Sequence, residues 1–584
     1  RLENPPGTPV AVVSPYSSSR HLKWTQSADI LFLTHFDTHP RELRRTSANT
    51  FVFVDFSFRD GPYLDTNTTA TTLTLSGTTG SVTVTASSTT GINNNQGFLT
   101  TDVGRIIRWL APNGQWEWLT ITARTSSTTV TATIESSDPS GTDATTEWRL
   151  GAWSDTTGWP EVCVFHQGRL WFGRTTSQPQ TLWASRVSNF RNFQPSASDG
   201  TVSDDNAITL TIDSNQVNAI AWMVSSHRGL LLGTTGESWI IRSADDTTGI
   251  SPLNAELVPQ GSWGSDDAIL PTRVGSSTLY VQSGQTAIRE SAFNFDEDVF
   301  SANNITILSE HLFRLGVKRL AFSQAPIQTV WALLTNGTLA GFTFDKEQKV
   351  IAWHHHTIAG AGANVVDIAV IQHDTQNQLW MLVERTIDGN TVQYVEFMEE
   401  PFDAQLHTIE EAFFLDGALT YDGVPTTTVS GLTHLEGETV GVLADGATHP
   451  DKVVSGGAVT LDRSASKVQV GLRYSAETRT MPLEAPNREG SFISLGKTKR
   501  IHQVHVILAE TVGALIGPEI GVLDRIPFRV PSDPMDTPVE LFNGVKSLSL
   551  SSSYEEQARV RVVSDQPLPC TVLAIVMEGS VHGS

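Results

Sequence analysis

Residues Pro160 to Phe193 read PEVCVFHQGRLWFGRTTSQPQTLWASRVSNFRNF, and their layout decides the fold. An apolar strand leads to a polar turn ending in Gly168, a second strand runs from Arg169 to Gly173, and after a short loop a third runs from Gln180 to Arg186. The same order returns downstream with other residues. His227 to Leu232 is followed by Gly236 to Arg242, Ser276 to Val281 by Gln285 to Glu290, Gln328 to Leu333 by Gly337 to Phe344, and Asn377 to Leu382 by Thr391 to Phe397. The central apolar residues of the second strands are Trp171, Leu232, Tyr280, Trp331 and Trp380, spaced by 61, 48, 51 and 49 residues. A period near 50 made only of short strands is the spacing of a β-propeller blade, whose four-stranded sheet needs neighbours to bury both faces.

An earlier copy lies upstream, in Ala28 to Thr34 followed by Pro40 to Arg45. The next repeat begins only near Pro160, so something is inserted between them. The segment from Asp65 to Arg149 is dense in Thr and Ser and alternates at Thr72 to Leu75, Val82 to Thr85 and Trp116 to Thr122, with Gly77, Gly80, Gly91, Gly97 and Gly114 at expected turns. Period-two alternation of β-branched and polar residues marks half-buried antiparallel strands. A disordered Thr/Ser linker is the alternative, but Val103 to Leu110 and the paired tryptophans supply apolar surface for a core. Beyond about Glu400 the repeat stops. The remainder carries further alternating strands, among them Gln503 to Leu508, Ala558 to Val563 and Cys570 to Val576.

The expected fold is therefore all-β: a β-propeller of about six blades, with an inserted small β-barrel domain and C-terminal β-sandwich domains. The expected divisions are 1–64 for an N-terminal segment and first blade, 65–150 for the insertion, 151–400 for the rest of the propeller and 401–584 for the sandwich-like region. The 45 glycines and 15 tryptophans suit many turns and large buried aromatics. Cys163 and Cys570 lie far apart in apolar strands and read as buried thiols. No apolar run reaches the length of a membrane span. The chain opens on Arg1 without Met, which points to a natural N-terminus further upstream.

A net charge of -23 argues against a surface that grips nucleic acid, because such grip needs clustered Lys and Arg. It leaves room for a surface past which nucleic acid slides. Acidic pairs fall between the repeats at Asp204-Asp205, Asp245-Asp246, Asp266-Asp267 and Asp296-Glu297-Asp298. They form an acidic rim if their turns share one face, and solvated loops otherwise.

Enzyme signatures are incomplete. Ser154 to Trp159 has the letters of a sialidase Asp box at the wrong spacing. Gly490 to Thr498 imitates a P-loop, with five residues between its glycines where four are needed. In Trp353-His354-His355-His356 adjacent strand residues point to opposite faces, so only His354 and His356 could share a metal. No catalytic, cofactor-binding or metal residue is assigned, and no cofactor or enzymatic activity is expected.

Four stretches resemble the tail nozzle, or tail tubular B, proteins of short-tailed bacteriophages and prophages. They are Gln26 to His35 with Pro40-Arg41-Glu42-Leu43, Phe165 to Gly173 with Gln180 to Ser185, Gly431 to Val440 with Ala444-Asp445-Gly446, and Asp565 to Ala574. They occur in the family's order over nearly the whole chain. The Thr-rich insertion also resembles a small β-domain that many prophage members carry at this place. The resemblance implies that the family's N-terminal platform region is absent or cut short in this chain. The resemblance implies a structural virion protein in the phage tail, assembled in the host bacterial cytoplasm as a homohexamer. Its implied partners are the adaptor ring below the portal, tail fibres or spikes, and genomic DNA that passes during ejection without tight binding. Readings from other classes are a propeller-based glycan-degrading tail enzyme and a monomeric propeller adaptor for protein binding.

Overall fold

The computed structural model describes residues 10–136, 139–215, 218–245, 248–484, 494–534 and 537–582. The chain divides into two compact units, Arg1–Leu320 and Ala321–Ser584.

In the first unit β1 (Lys23–Ser27), β2 (Ile30–His35), β3 (Thr38–Ser47) and β4 (Thr50–Asp55) form a four-stranded antiparallel meander. The insertion follows, with β5 (Leu73–Leu75), β6 (Ser81–Ala86), β7 (Ile106–Leu110), β8 (Trp116–Arg124), β9 (Thr129–Ile134) and β10 (Trp148–Leu150). Three more meanders complete the unit. They are β11 (Val162–His166), β12 (Arg169–Gly173), β13 (Thr181–Ala184) and β14 (Ile208–Thr211); β15 (Ile220–Ser226), β16 (Gly229–Thr234), β17 (Ser238–Ser243) and β18 (Ala255–Gly261); and β19 (Thr272–Val274), β20 (Ser277–Val281), β21 (Ile288–Asn294) and β22 (Val299–Asn304).

These are propeller blades. The second strand of each downstream blade is buried along its whole length, in Arg169–Gly173, Gly229–Thr234 and Ser277–Val281. A sheet covered on both faces by neighbouring sheets needs apolar residues at consecutive positions, so these strands read as apolar runs without alternation. Inner strands pack on one another, β1 on β11 and β11 on β15. Within one blade Gly233 of β16 leaves room for the paired Trp222 of β15: a Cβ there would lie 2.1 Å from the Trp222 ring.

The insertion folds as a six-stranded sheet in the order β10-β7-β8-β9-β6-β5. Its free edges meet where Leu73 and Thr145 exchange backbone hydrogen bonds of 2.9 and 3.1 Å, so the sheet closes as a small barrel. Trp109, Trp148, Phe98 and Leu119 lie in its core. Gly97 holds φ +76°, and a Cβ there would meet the carbonyl oxygen of Ser127 at 2.2 Å, so the turn requires glycine. The two ends of the insertion are adjacent, with Tyr63 bridged to Gly151. A cluster of Phe56, Trp153, Phe172, Trp183 and Phe193 ties this neck to the first two blades.

The second unit contains β23 (Val317–Ser323), which runs through the boundary, β24 (Thr329–Leu334), β25 (Leu339–Asp345) and β26 (Val350–His356), in one sheet in that order. A three-stranded meander of β27 (Asn364–His373), β28 (Gln376–Ile387) and β29 (Asn390–Phe397) comes next. The sheet formed by β30 (Asp416–Ser430), β31 (Thr439–Ala444), β32 (Ala447–Val453) and β33 (Ala458–Leu472) has the order β30-β33-β31-β32, and its core also takes in Ala359 and Ile387 from the preceding meander. The last strands are β34 (Ala476–Arg479), β35 (Thr498–Thr511), β36 (Ala514–Pro518), β37 (Asp524–Arg525), β38 (Phe542–Ser549), β39 (Val560–Ser564) and β40 (Thr571–His582). They make two sheets, β34-β39-β36-β37 and β38-β35-β40. Val504, Val506, Ile516, Val560 and Val562 share one core between those sheets, which makes them a sandwich.

Candidate functional site

A group of charged side chains gathers around the inner strand β1 of the first unit. β1 buries its lysine and exposes its tryptophan: Lys23 is 1% accessible and Trp24 41%. Lys23 Nζ donates to the carbonyl of Ala221 at 2.6 Å, which links the inner strand of the first blade to that of the third. Glu161 is buried next to it and pairs with Arg174 at 3.2 Å, and Arg174 also reaches Asp267 at 3.2 Å. Burial pushes the Lys23 ammonium down to about 8 and raises the Glu161 carboxyl. Asp267 is held below the usual carboxylate range, with Arg174 countering its burial. Four side chains of alternating sign therefore bind several blades together. Nothing in the alternation of KWTQS signals this, because the pattern alone places Trp24 inside.

The acidic turns do not share one face. Successive connections of an antiparallel meander alternate between its two ends. Asp204-Asp205, Asp245 and Asp296 to Asp298 lie in connections between third and fourth strands, whereas Asp266-Asp267 lies in the connection from β18 to β19, at the opposite end. Asp246 lies outside the described residues. Several of these carboxylates have partners: Asp205 pairs with Arg186, Asp267 with Arg174, and Asp298 lies 4.0 Å from Arg242. The condition for a single acidic rim is not met.

The other sequence candidates resolve into local structure. In the Asp-box lookalike the Asp155 carboxylate accepts the indole N–H of Trp159 at 2.7 Å, and Ser154 bridges to Gly158. His354 and His356 share a face of β26 at 2.6 Å and pack edge-on against Trp331. Burial lowers both imidazoles, His356 to about 4. Among the described residues no three His, Cys, Asp or Glu side chains gather as a metal site. Residues 490–493 of the P-loop lookalike lie outside the described residues. Cys163 is a buried free thiol pushed up to about 12, and Cys570 is a half-buried one.

Two further features were not singled out by sequence. His505 lies 2.7 Å from Ser547 Oγ through Nδ1 and 3.0 Å from Glu578 through Nε2. The three residues lie on neighbouring strands of one sheet, β38-β35-β40. A cavity of about 290 Å³ in the second unit is lined by Glu399, Glu400, Glu411, Asp422 and Lys467. Lys467 pairs with Glu411 and Asp422 at 2.9 and 3.2 Å.

The motif residues hold turns and blade contacts. Glu42, fully buried, binds Arg44 and Arg191 at 2.6 and 2.5 Å. Ser185 caps Leu170 N–H at 3.0 Å, and Asp445 accepts from the amides of Ser466 and Lys467, both at 2.9 Å.

These sheets define an all-β protein built from propeller blades. The profile of the bacteriophage nozzle proteins matches residues 161–485, more than half of the chain, and the chain belongs to that family. It is a component of a phage tail. No curated protein matches it in sequence. Among solved structures, the Pan2 WD40 domain of Neurospora crassa is 8% identical over 67% of this chain and 93% of that one, with a TM-score of 0.28. Sqt1 from Chaetomium thermophilum is 11% identical over 65% and 83%, with a TM-score of 0.30. At such scores the blade assignment rests on the chain's own sheets. Among the described residues no helix is long and apolar enough to cross a membrane.

Proposed function

We propose that six copies of this chain form the tail nozzle of a short-tailed phage, below the adaptor and portal rings. The ring shuts the DNA exit channel before infection, lines it during ejection and docks tail fibres. The observation that carries this reading is the match to the nozzle proteins, which spans the blades from β11 onward and the first C-terminal sheet. In this reading the blade sheets from β1 to β29 close as one six-bladed propeller, 65–150 is a separate domain and 401–584 forms the C-terminal region. The protein acts by assembly and has no catalytic turnover. It assembles in the host cytoplasm and resides in the virion tail.

The net charge of -23 supports a channel wall that is neutral to acidic. Basic contacts strengthen phosphate binding steeply and each would add drag, while like charges across water are screened within about 8 Å at physiological salt. A lumen a few Å wider than duplex DNA then lets it pass. Acidic, glycine-containing turns of the C-terminal half meet near the axis as the gate, and the insertion and outer blades face fibres or adaptor. The test is duplex binding by the assembled ring at low salt together with the charge map of its lumen. Weak binding and an acidic wall are expected; a basic lumen or tight binding contradicts the proposal.

A further inference from the structure

The strand β26 lies at the edge of its sheet and ends in Trp353-His354-His355-His356. Strand residues two apart share a face, so His354 and His356 stand together while His355 is exposed on the other face. Across the sheet His354 pairs with Gly341 of β25, and Gly341 pairs with Trp331 of β24, which sets a glycine between two large rings in one row. That glycine makes the room: a Cβ at 341 would lie 2.0 Å from Cε1 of His354. The His354 ring therefore lies over Gly341, edge-on to Trp331, and its centroid is 4.8 Å from that of His356 with the ring planes at 72°. Trp331 is anchored in turn among Val365, Ile368, Leu379 and Met381.

In this cradle His354 Nδ1 and His356 Nε2 face each other at 2.6 Å. Two imidazole nitrogens so placed share one proton, one ring donating and the other accepting. The same pair of nitrogens suits one metal ion. With metal–nitrogen bonds of about 2.0 Å, two ligands at a right angle stand about 2.8 Å apart and two at the tetrahedral angle about 3.3 Å. The right-angled arrangement asks the rings to part by only about 0.2 Å, the tetrahedral one by about 0.7 Å. Right-angled coordination by nitrogen is the preference of Cu²⁺, which also stands highest in the affinity order of the divalent first-row ions.

We propose that His354 and His356 form a two-imidazole site for Cu²⁺, walled by Gly341 and Trp331 and open to water at the sheet edge. Among the described residues no third His, Cys, Asp or Glu completes the set, so solvent takes the remaining positions. The proton between the two nitrogens is lost to solvent, and the other nitrogen of the same ring takes one up, so the imidazoles bind the ion without a change in their own charge. The site lies within one blade and is independent of the ring reading.

The test titrates the full chain with Cu²⁺ alone and compares the parent with His354→Gln, His356→Gln and the two combined. Thermal melts in the presence of a chelator show that each variant folds like the parent. Because the chain holds 16 histidines, the double variant supplies the background from all the others. The parent is expected to bind one ion beyond that background, with an electron paramagnetic resonance signal split by two equatorial nitrogens, and either single variant to lose both. His355→Gln, on the opposite face, should bind as the parent does. Gly341→Ala keeps both imidazoles but displaces the His354 ring, and should weaken binding about tenfold. A parent titration that overlays that of the double variant, or single variants that bind as the parent does, would overturn the site.

Discussion

Lys23 is the side chain on which most of the inner-strand chemistry depends, since it is desolvated, bound to the Ala221 carbonyl and adjacent to Glu161. Removing one member of a buried charged group leaves its partner uncompensated, a loss of about 3–5 kcal/mol. Lys23→Ala is therefore expected to lower stability by about 3 kcal/mol in urea unfolding, and Lys23→Met by less, because Met keeps most of the packing. The titration has a definite sign. With a folded value near 8 and an unfolded one of 10.5, the unfolded chain binds more protons between those limits, so this group's contribution makes stability rise with pH from about 8 to 10.5. Cys163 acts oppositely: its thiol moves from 9.0 to about 12, so stability falls with pH across that window. The parent measured against Lys23→Met isolates the lysine, and the parent should gain relative to the variant between pH 8 and 10. A difference that is flat in pH would show that Lys23 is not desolvated. At Gly233 the steric argument is independent of charge. Gly233→Val places side-chain atoms into the Trp222 ring, and a loss of about 3 kcal/mol is expected from overpacking.

At the scale of elements, the insertion tests whether the blades are autonomous. Tyr63 bridges to Gly151, and Leu64 N–H reaches the carbonyl of Leu150 at 2.8 Å, so a short glycine linker can replace 66–147 without moving either end. The shortened chain is expected to fold with a small drop in melting temperature, from lost contacts such as Arg108 to Ser196 at 3.0 Å. The barrel prepared separately as 65–150, which keeps β10 and Trp148, should show its own cooperative melt. Aggregation of both pieces would contradict separate cores. This part of the fold was legible in sequence because strands and turns are local. The second strands around Trp171, Leu232, Tyr280, Trp331 and Trp380 fall in β12, β16, β20, β24 and β28. What sequence did not reveal is long-range. Lys23 bonds a residue 198 positions away, and the His505, Ser547 and Glu578 row draws on strands separated by up to 73 residues. The acidic turns show the same limit, since only the alternation of connections sends Asp266-Asp267 to the end opposite Asp296 to Asp298.

For the whole molecule, membership of the nozzle family makes the chain a component of a phage tail. Its chemistry is spent on holding sheets: Glu42 between two arginines, Asp445 under a turn, and Arg174 between Glu161 and Asp267. The acidic balance belongs to the same scale. An assembled ring is expected to bind duplex DNA weakly even at low salt, with little further loss as salt rises, because few counterions are released. The central claim is sixfold assembly. Native mass spectrometry of the full chain over a range of micromolar concentrations tests it most directly: the account predicts one dominant species at six times the 63.5 kDa chain mass, and a species that remains at 63.5 kDa throughout would contradict it.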